Sequence, residues 1–281
     1  MDPVEFRRRL HAHPELSFRE HDTAAFIEQQ LDELGIEHRR IASTGVVARI
    51  EGRKTPEGDR RAAVLRADID ALPVTERNDL EWKSQNEGVM HACGHDMHAA
   101  VLFGVLKEFA AAPDFRGTLF GLFQPGEECV LSIGRVEAGG ATNIVPDEVY
   151  MEGTLRTFDE RERGIIHRRI EIIAADIDAR HGVKTEVAIG RGYPCVVNDE
   201  ILVKQAAALA KAEKLKVEML PLRTTAEDFG FYCKQYPSLF YRLGVGAAAG
   251  RPHTATFSPD EAAIGVGIAY MRKLALQLLE K

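Results

Sequence analysis

The sequence predicts an α/β protein with a smaller α+β region set into it, and three observations carry that expectation. Between residues 62 and 124 a short apolar run, a polar loop, a helical stretch and a second apolar run follow one another, the signature of an α/β sheet. From Val130 the texture changes: VLSIGRVEAGG and EVYMEGTLRTF alternate like antiparallel strands with one wet face. From Asp199 onward helix and strand patterns alternate again, so the chain returns to where it began. The expected division is 1–128 with 198–281 as one domain and 129–197 as the other.

The elements follow in order. From Val4 to Leu34 apolar residues fall at helical spacing (Phe6, Leu10, Phe26, Ile27, Leu31, Leu34) and stop at Gly35, a good helix terminator. Residues before proline avoid helical backbone, so His13-Pro14 divides this stretch into two helices. Gly45 to Ile50 and Ala62 to Ala67 are apolar runs separated by the polar stretch Glu51 to Arg60, which predicts a hairpin or neighbouring strands. Asp96 to Ala112 has helical periodicity, and Thr118 to Gln124 predicts a buried strand ending at Pro125-Gly126. Asp159 to Arg180 predicts an amphipathic helix and Lys184 to Ile189 a strand. Ile201 to Glu213, Ser238 to Gly244 and Asp260 to Leu279 then predict helix, strand and helix.

A chain of 281 residues that is 45% hydrophobic can bury one large core or two modest ones. Its 43 acidic and 36 basic residues are dispersed, and no basic run tracks a phosphate backbone, which argues against nucleic acid as a partner. No apolar stretch is read as long enough to span a bilayer, and MDPVEFRRRLHAH lacks the apolar core of an export signal. No membrane partner and a cytoplasmic location are the resulting expectations. Cys93, Cys129, Cys195 and Cys233 are too widely spaced for a disulfide scaffold, leaving free thiols or a metal thiolate.

Three clusters carry chemistry. In Met90-His91-Ala92-Cys93-Gly94-His95-Asp96-Met97-His98 a thiolate and an imidazole two residues apart can face one cation, and the mixed S/N/O donors suit zinc or manganese. The bland alternative is a surface loop rich in histidine. Gln124-Pro125-Gly126-Glu127-Glu128 puts adjacent carboxylates at a strand end, where they point apart, so that one can bind metal while the other takes a proton from water. Glu-Glu pairs are common on surfaces, and alone this one carries little. Arg66 to Pro73 again sets carboxylates, Asp68 and Asp70, at the end of an apolar strand, where an unpaired buried charge is costly.

Together RADIDALPV, MHACGHDMHAA, FQPGEE, NIVPD, GTLRT, AEDFGFY and the late His253 resemble the aminoacylase-like branch of the M20 metallopeptidase family, which holds aminoacylases, hippurate hydrolases and auxin-conjugate hydrolases. The matches keep the family's order from His11-Ala12-His13-Pro14-Glu15-Leu16 to the C-terminal helix. The resemblance implies a zinc-peptidase-like catalytic domain, a mixed sheet flanked by helices, with a smaller α+β lid, acting on the amide bond of an N-acyl amino acid or small peptide. It implies Cys93, His95, Glu128 and His253 as ligands of two divalent ions, zinc or manganese, and Glu127 as general base and then acid. Asp70 would orient a ligand with help from Asp68, and Asn143 and Arg156 would hold the substrate's carbonyl or carboxylate. His91 and His98 are read as ligands or as helix-end and supporting groups, and His11 and His13 as structural. His21, His38, His167 and His181 are expected at the surface, and Cys129, Cys195 and Cys233 in packing. Glu227-Asp228 matches a substrate-side loop, though a helix N-cap explains Asp228 equally well.

The chain also departs from that family. Only fourteen residues separate Glu128 from Asn143, where the family has a far longer insert. The insert ordinarily supplies a helix and strand of the catalytic sheet, a Gly-Leu-His strand end with another metal ligand, and the lid's first strand and helix. The resemblance therefore implies an internal deletion after Glu128 and a shortened lid. One metal position would be filled by water, His98 or Asp96, with the possibility that only one ion is retained, and a homo-oligomer could cover the exposed lid edge. The alternative function is a catalytically impaired form that keeps only metal or ligand binding, or an assembly role.

Overall fold

The computed structural model describes residues 1–126, 135–139, 143, 146–153, 155, 160–190, 192–220 and 227–280, the side chain of Glu162 excepted. The chain divides into two compact units, Met1–Glu127 with Arg242–Lys281, and Glu128–Tyr241. That division by compactness does not test the expected boundary at 197/198, which remains a proposal about catalytic and lid parts.

The first unit opens with α1 (Pro3–Ala12) and α2 (His21–Glu33). Asp2 caps α1, its side chain accepting from Val4 N while Glu5 reaches back to the Asp2 N–H, and Pro3 stands at the first helical position. Four strands follow: β1 (Glu37–Ile41), β2 (Gly45–Glu51), β3 (Ala62–Asp68) and, after α3 (His95–Ala111), β4 (Thr118–Gln124). Their order is β1-β2-β4-β3, with β3 and β4 parallel and the other pairs antiparallel.

Two expectations are corrected here. β2 and β3 are neither a hairpin nor neighbours, because β4 lies between them. The short link from 52 to 61 carries the chain past the place that β4 later fills, and the α3 crossover makes the β3–β4 pairing parallel. β1 was not anticipated. Its sequence, EHRRI, has no apolar alternation, and pairing with β2 across the turn at Ala42 and Ser43 makes it a strand at the sheet's edge.

α3 is the centre of the core. It is apolar around most of its circumference, so it must be covered on several sides: the sheet takes one, and α1 and α7 (Ala262–Glu280) take others. Phe6 of α1 stacks on Phe103 at 4.3 Å between centroids, and both are fully buried. Truncating either to alanine would cost about 3–5 kcal/mol. At Gly104 the helices approach so closely that a Cβ would lie 2.1 Å from Ile268 Cδ1. α7 also corrects the reading that no apolar stretch has spanning length: its 19 residues suffice by length and composition, but its face of Ile264, Gly267, Ile268, Ala275 and Leu279 is buried in this core.

The second unit holds the β5 (Arg135–Ala138) and β6 (Val149–Glu152) hairpin pair, antiparallel as expected, and the long α4 (Glu160–His181). α5 (Glu200–Ala212) is capped by Asp199, whose side chain accepts from Leu202 N, and α6 (Phe229–Gln235) follows. Asp228 does stand at the N-cap of α6, without a side-chain cap bond. Lys184–Ile189 and Ser238–Gly244 are not strands, because among the described residues neither finds a ladder partner. At 240 the side chain of Asn198 acts instead: its Nδ2 donates to Phe240 O at 2.8 Å and its Oδ1 accepts from Phe240 N at 2.7 Å.

α1 is fastened to the start of α3 by buried charge. Asp96 Oδ2 accepts from Arg7 Nε at 2.7 Å and from His11 Nδ1 at 2.9 Å, while His11 Nε2 donates to Glu76 Oε1 at 3.1 Å. All four side chains are almost wholly inaccessible. Burial alone pushes the His11 pKa down, but Asp96 and Glu76 outweigh it and raise it to about 9. Because the folded pKa lies above the unfolded one, this stabilisation is complete below about pH 6.5 and disappears as pH rises through 9. Urea unfolding should therefore show stability falling from neutral pH to pH 10. Arg7→Met, which leaves Asp96 with one partner fewer in the dry interior, should cost about 3–5 kcal/mol in the same measurement.

Candidate metal centre

Because β3 and β4 run parallel in register, Asp68 opposite Gln124, their carboxyl ends share one edge of the sheet. α3 begins at that edge, so the acidic strand end and the HACGHD loop meet there, the usual location of sites in α/β sheets. Gly94, at φ +87, turns the chain into α3. A small second core of Met90, Ala92, Ala249 and Phe257 holds the loop around 253 against it.

His95 is gripped from one side. Its Nδ1 donates to Asp70 Oδ1 at 2.7 Å and to the Asp70 carbonyl at 3.1 Å, and Asp70 Oδ2 accepts from Ser17 Oγ at 2.8 Å. This leaves Nε2 directed toward Asp68, 3.6 Å from Oδ2. His98 Nδ1 donates to Asp68 Oδ1 at 2.6 Å. Asp68, His95 and His98 thus bring three donor atoms within 4.8 Å of one another. Cys93 Sγ lies 3.3 Å from His253 Nε2, although 160 positions separate them in sequence. His253 reaches it from left-handed backbone, φ +66, with its N–H bonded to Ala92 O at 2.7 Å.

The electrostatics agree with this arrangement. Burial disfavours the charged ring of His95, but Asp68, Asp70 and Cys93 overcome that and hold its pKa well above the ordinary value. Burial likewise opposes ionisation of Asp68, yet His95, His98 and Arg66 hold it well below the usual carboxylate range. Two carboxylates and a thiol draw a proton onto His95, and a divalent cation bound there would displace it. The donors fit such an ion: a sulfur and a nitrogen on one tetrahedral zinc stand about 3.5 Å apart, given bonds of about 2.3 and 2.0 Å, close to the Cys93–His253 separation.

The structure brings together six residues singled out from sequence: Cys93 with His253, and Asp70, Asp68 and His98 around His95. Asp96, offered as a replacement ligand, has no exposed surface and its Oδ2 is engaged by Arg7 and His11 in the interior. His91 is buried with neither ring nitrogen bonded among the described residues, and burial pushes its pKa down to about 4, so it remains a neutral ring. Asn143 is exposed in the second unit, and Glu127, Glu128 and Arg156 lie outside the described residues. Ser17 was missed. It directly follows the His11–Leu16 stretch that matched the family, which is the one signal the sequence offered.

The sequence profile of peptidase family M20/M25/M40 matches residues 64–277. An N-acetyl-L-cysteine deacetylase of Bacillus subtilis is 29% identical, with 99% of this chain and 88% of that protein covered. An N-acetyldiaminopimelate deacetylase of Exiguobacterium sibiricum is 27% identical, with 93% and 95% covered. A crystal structure from Bacillus subtilis, described as a dinuclear metal-binding peptidase of the M20 family, superposes with a TM-score of 0.87 at 28% identity, covering 99% of this chain and 98% of that one. The first comparison runs over 373 positions against 281 residues here, so at least 92 of its positions carry no residue of this chain. An internal deletion produces that pattern.

Asp70→Ala removes the acceptor that orients His95 and should weaken divalent-metal affinity about 10–100-fold in calorimetric titration. Since binding displaces the His95 proton, the wild-type affinity should tighten as pH rises, with proton release measurable in buffers of different ionisation enthalpy.

Proposed function

Because the chain belongs to peptidase family M20/M25/M40, we propose that it is a metal-dependent hydrolase of N-acyl amino acids, cleaving the amide between acyl group and amino nitrogen. The observation that carries this reading is the meeting of Cys93 with His253, and of Asp68, His98 and Asp70 around His95, at one edge of the sheet. The substrate class is supported by two relatives named as deacetylases of N-acetylated amino acids, each matched along most of its length. Those matches favour a working enzyme over the impaired form.

Cys93, His95, Glu128 and His253 would hold a pair of divalent ions, zinc or manganese, with Asp68 and His98 closing the side of His95. When bound, the metal supplies Lewis acidity that polarises the acyl carbonyl and makes water a nucleophile at neutral pH. Asp70 fixes the tautomer of His95 with hydrogen on Nδ1, so that Nε2 offers its lone pair. Glu127 takes a proton from the attacking water and delivers it to the departing amine as the C–N bond breaks, leaving a carboxylic acid and a free amino acid. Asn143 and Arg156 hold the carbonyl and the carboxylate, the guanidinium matching a planar anion with parallel donors. A cytoplasmic location belongs to the same proposal, as does self-association, supported by the exposed apolar side chains of Val136, Met151 and Ile172 in the second unit.

The test is hydrolysis of a panel of N-acetyl and N-benzoyl amino acids with added manganese or zinc. Turnover is expected, and Glu127→Gln should lower kcat by about 10²–10⁴-fold with the fold intact. A folded, metal-bearing wild-type chain that turns over no member of the panel would overturn this reading in favour of the impaired form.

A further inference from the structure

The turn between α1 and α2 reaches the metal centre from behind, and no step described above uses it. Arg19 N closes it by donating to Leu16 O at 3.0 Å, and Phe18 within it lies at φ +61. A bulky residue in left-handed backbone is strained. The Phe18 side chain is 52% exposed, so packing of its ring does not account for the strain.

What the turn achieves lies on either side of Phe18. On one side Ser17 Oγ donates to Asp70 Oδ2 at 2.8 Å, the carboxylate whose other oxygen holds His95 Nδ1 at 2.7 Å. On the other side Glu20, with no exposed surface, accepts from Gly126 N at 2.7 Å and from Thr44 Oγ1 at 2.8 Å. Gly126 is thereby laid over the Ser17–Asp70 pair. A Cβ there would stand 2.3 Å from Ser17 Oγ and 2.6 Å from Asp70 Oδ2, so only glycine fits. Glu20, Gly126, Ser17, Asp70 and His95 form one uninterrupted chain of contacts ending at the imidazole.

We propose that Ser17 and Glu20 are positioning residues for the metal centre, Ser17 fixing the plane of the Asp70 carboxylate and Glu20 holding Gly126 over the pair. The physical need is specific. The terminal torsion of an aspartate is broad, so a carboxylate bonded through one oxygen swings, whereas a second bond to its other oxygen fixes the plane. A fixed plane sets the His95 ring angle and keeps hydrogen on Nδ1, leaving Nε2 for the cation. The strain at Phe18 is what lets one short turn present Ser17 and Glu20 to opposite sides. The inference rests on reading His95 as a metal ligand.

The experiment compares the full chain with Ser17→Ala, Glu20→Gln and Glu20→Ala. Zinc affinity is measured by competition with a chromophoric chelator, and the cobalt-substituted proteins are compared by their visible absorption. The unfolding midpoint of each metal-free protein is the third readout. Ser17→Ala should bind zinc about tenfold more weakly, with an altered cobalt spectrum and an unchanged midpoint. Glu20→Gln, whose amide oxygen still accepts from Gly126 N, should keep wild-type affinity, while Glu20→Ala should lose as much as Ser17→Ala. Tight wild-type binding with no change in Ser17→Ala overturns the positioning role alone, as does a loss of affinity that only follows a lowered midpoint. A wild-type chain that binds neither metal overturns the metal reading, and this inference with it.

Discussion

A carboxylate with no exposed surface stands in the first turn of α3, one residue after His95, and much of the first unit follows from keeping it there. A buried charge without partners is among the most expensive features a fold can contain. The helix N-terminus offers Asp96 some relief through its dipole, but the main compensation comes from Arg7 and His11, both on α1. α1 must therefore lie against the start of α3. Arg7 also reaches Glu261 just before α7, and His11 reaches Glu76 in the loop after β3, so four parts of the chain converge on one oxygen atom's surroundings. The apolar contacts of Phe6, Phe103 and Ile268 supply bulk stabilisation, and the charge network selects which way the helices dock.

What was legible in the sequence follows from where each signal resides. Helices with a strong apolar stripe, and β4 with its unbroken run TLFGLFQ, carry their structure locally and were read to within a few residues. The division at Pro14 follows from the backbone rules of proline alone. β1 could not be read because EHRRI becomes a strand only through its partner, and the insertion of β4 between β2 and β3 depends on pairings made far along the chain. Lys184–Ile189 and Ser238–Gly244 show the converse: alternation describes a residue pattern, whereas a strand also needs a neighbour. At the site, Cys93, His95, Asp68 and Asp70 stood out by residue type and position, His253 only through the motif resemblance, and their proximity in the fold is what the structure adds. Ser17 did not stand out, since a serine in a turn has many ordinary explanations and only the Asp70 contact separates them.

At least 92 positions of the comparison with the Bacillus deacetylase have no counterpart in this chain. Within the described residues the sheet has four strands, bounded by β1 and β3, so any additional strand could join only at those two edges. On β3 the side chain of Val64 is 58% exposed, a wet apolar residue toward the start of that edge strand. Asp68, Asp70, Cys93, His95, His98 and His253 depend on β3, on the start of α3 and on the loop packed against Ala92, all of which lie within the described residues.

The pairing of Cys93 with His253 also sets a schedule for synthesis. A thiol and an imidazole separated by 160 positions cannot meet while the later one is still unmade, so a nascent chain that has already folded its sheet and α3 carries a half-assembled binding site. During that interval Asp68, His95 and His98, all encoded within thirty-one consecutive codons, are together without their distant partner. Cys93 is encoded within that same stretch, so the sulfur is present from the start, and what completion of the loop around His253 adds is the imidazole that meets it.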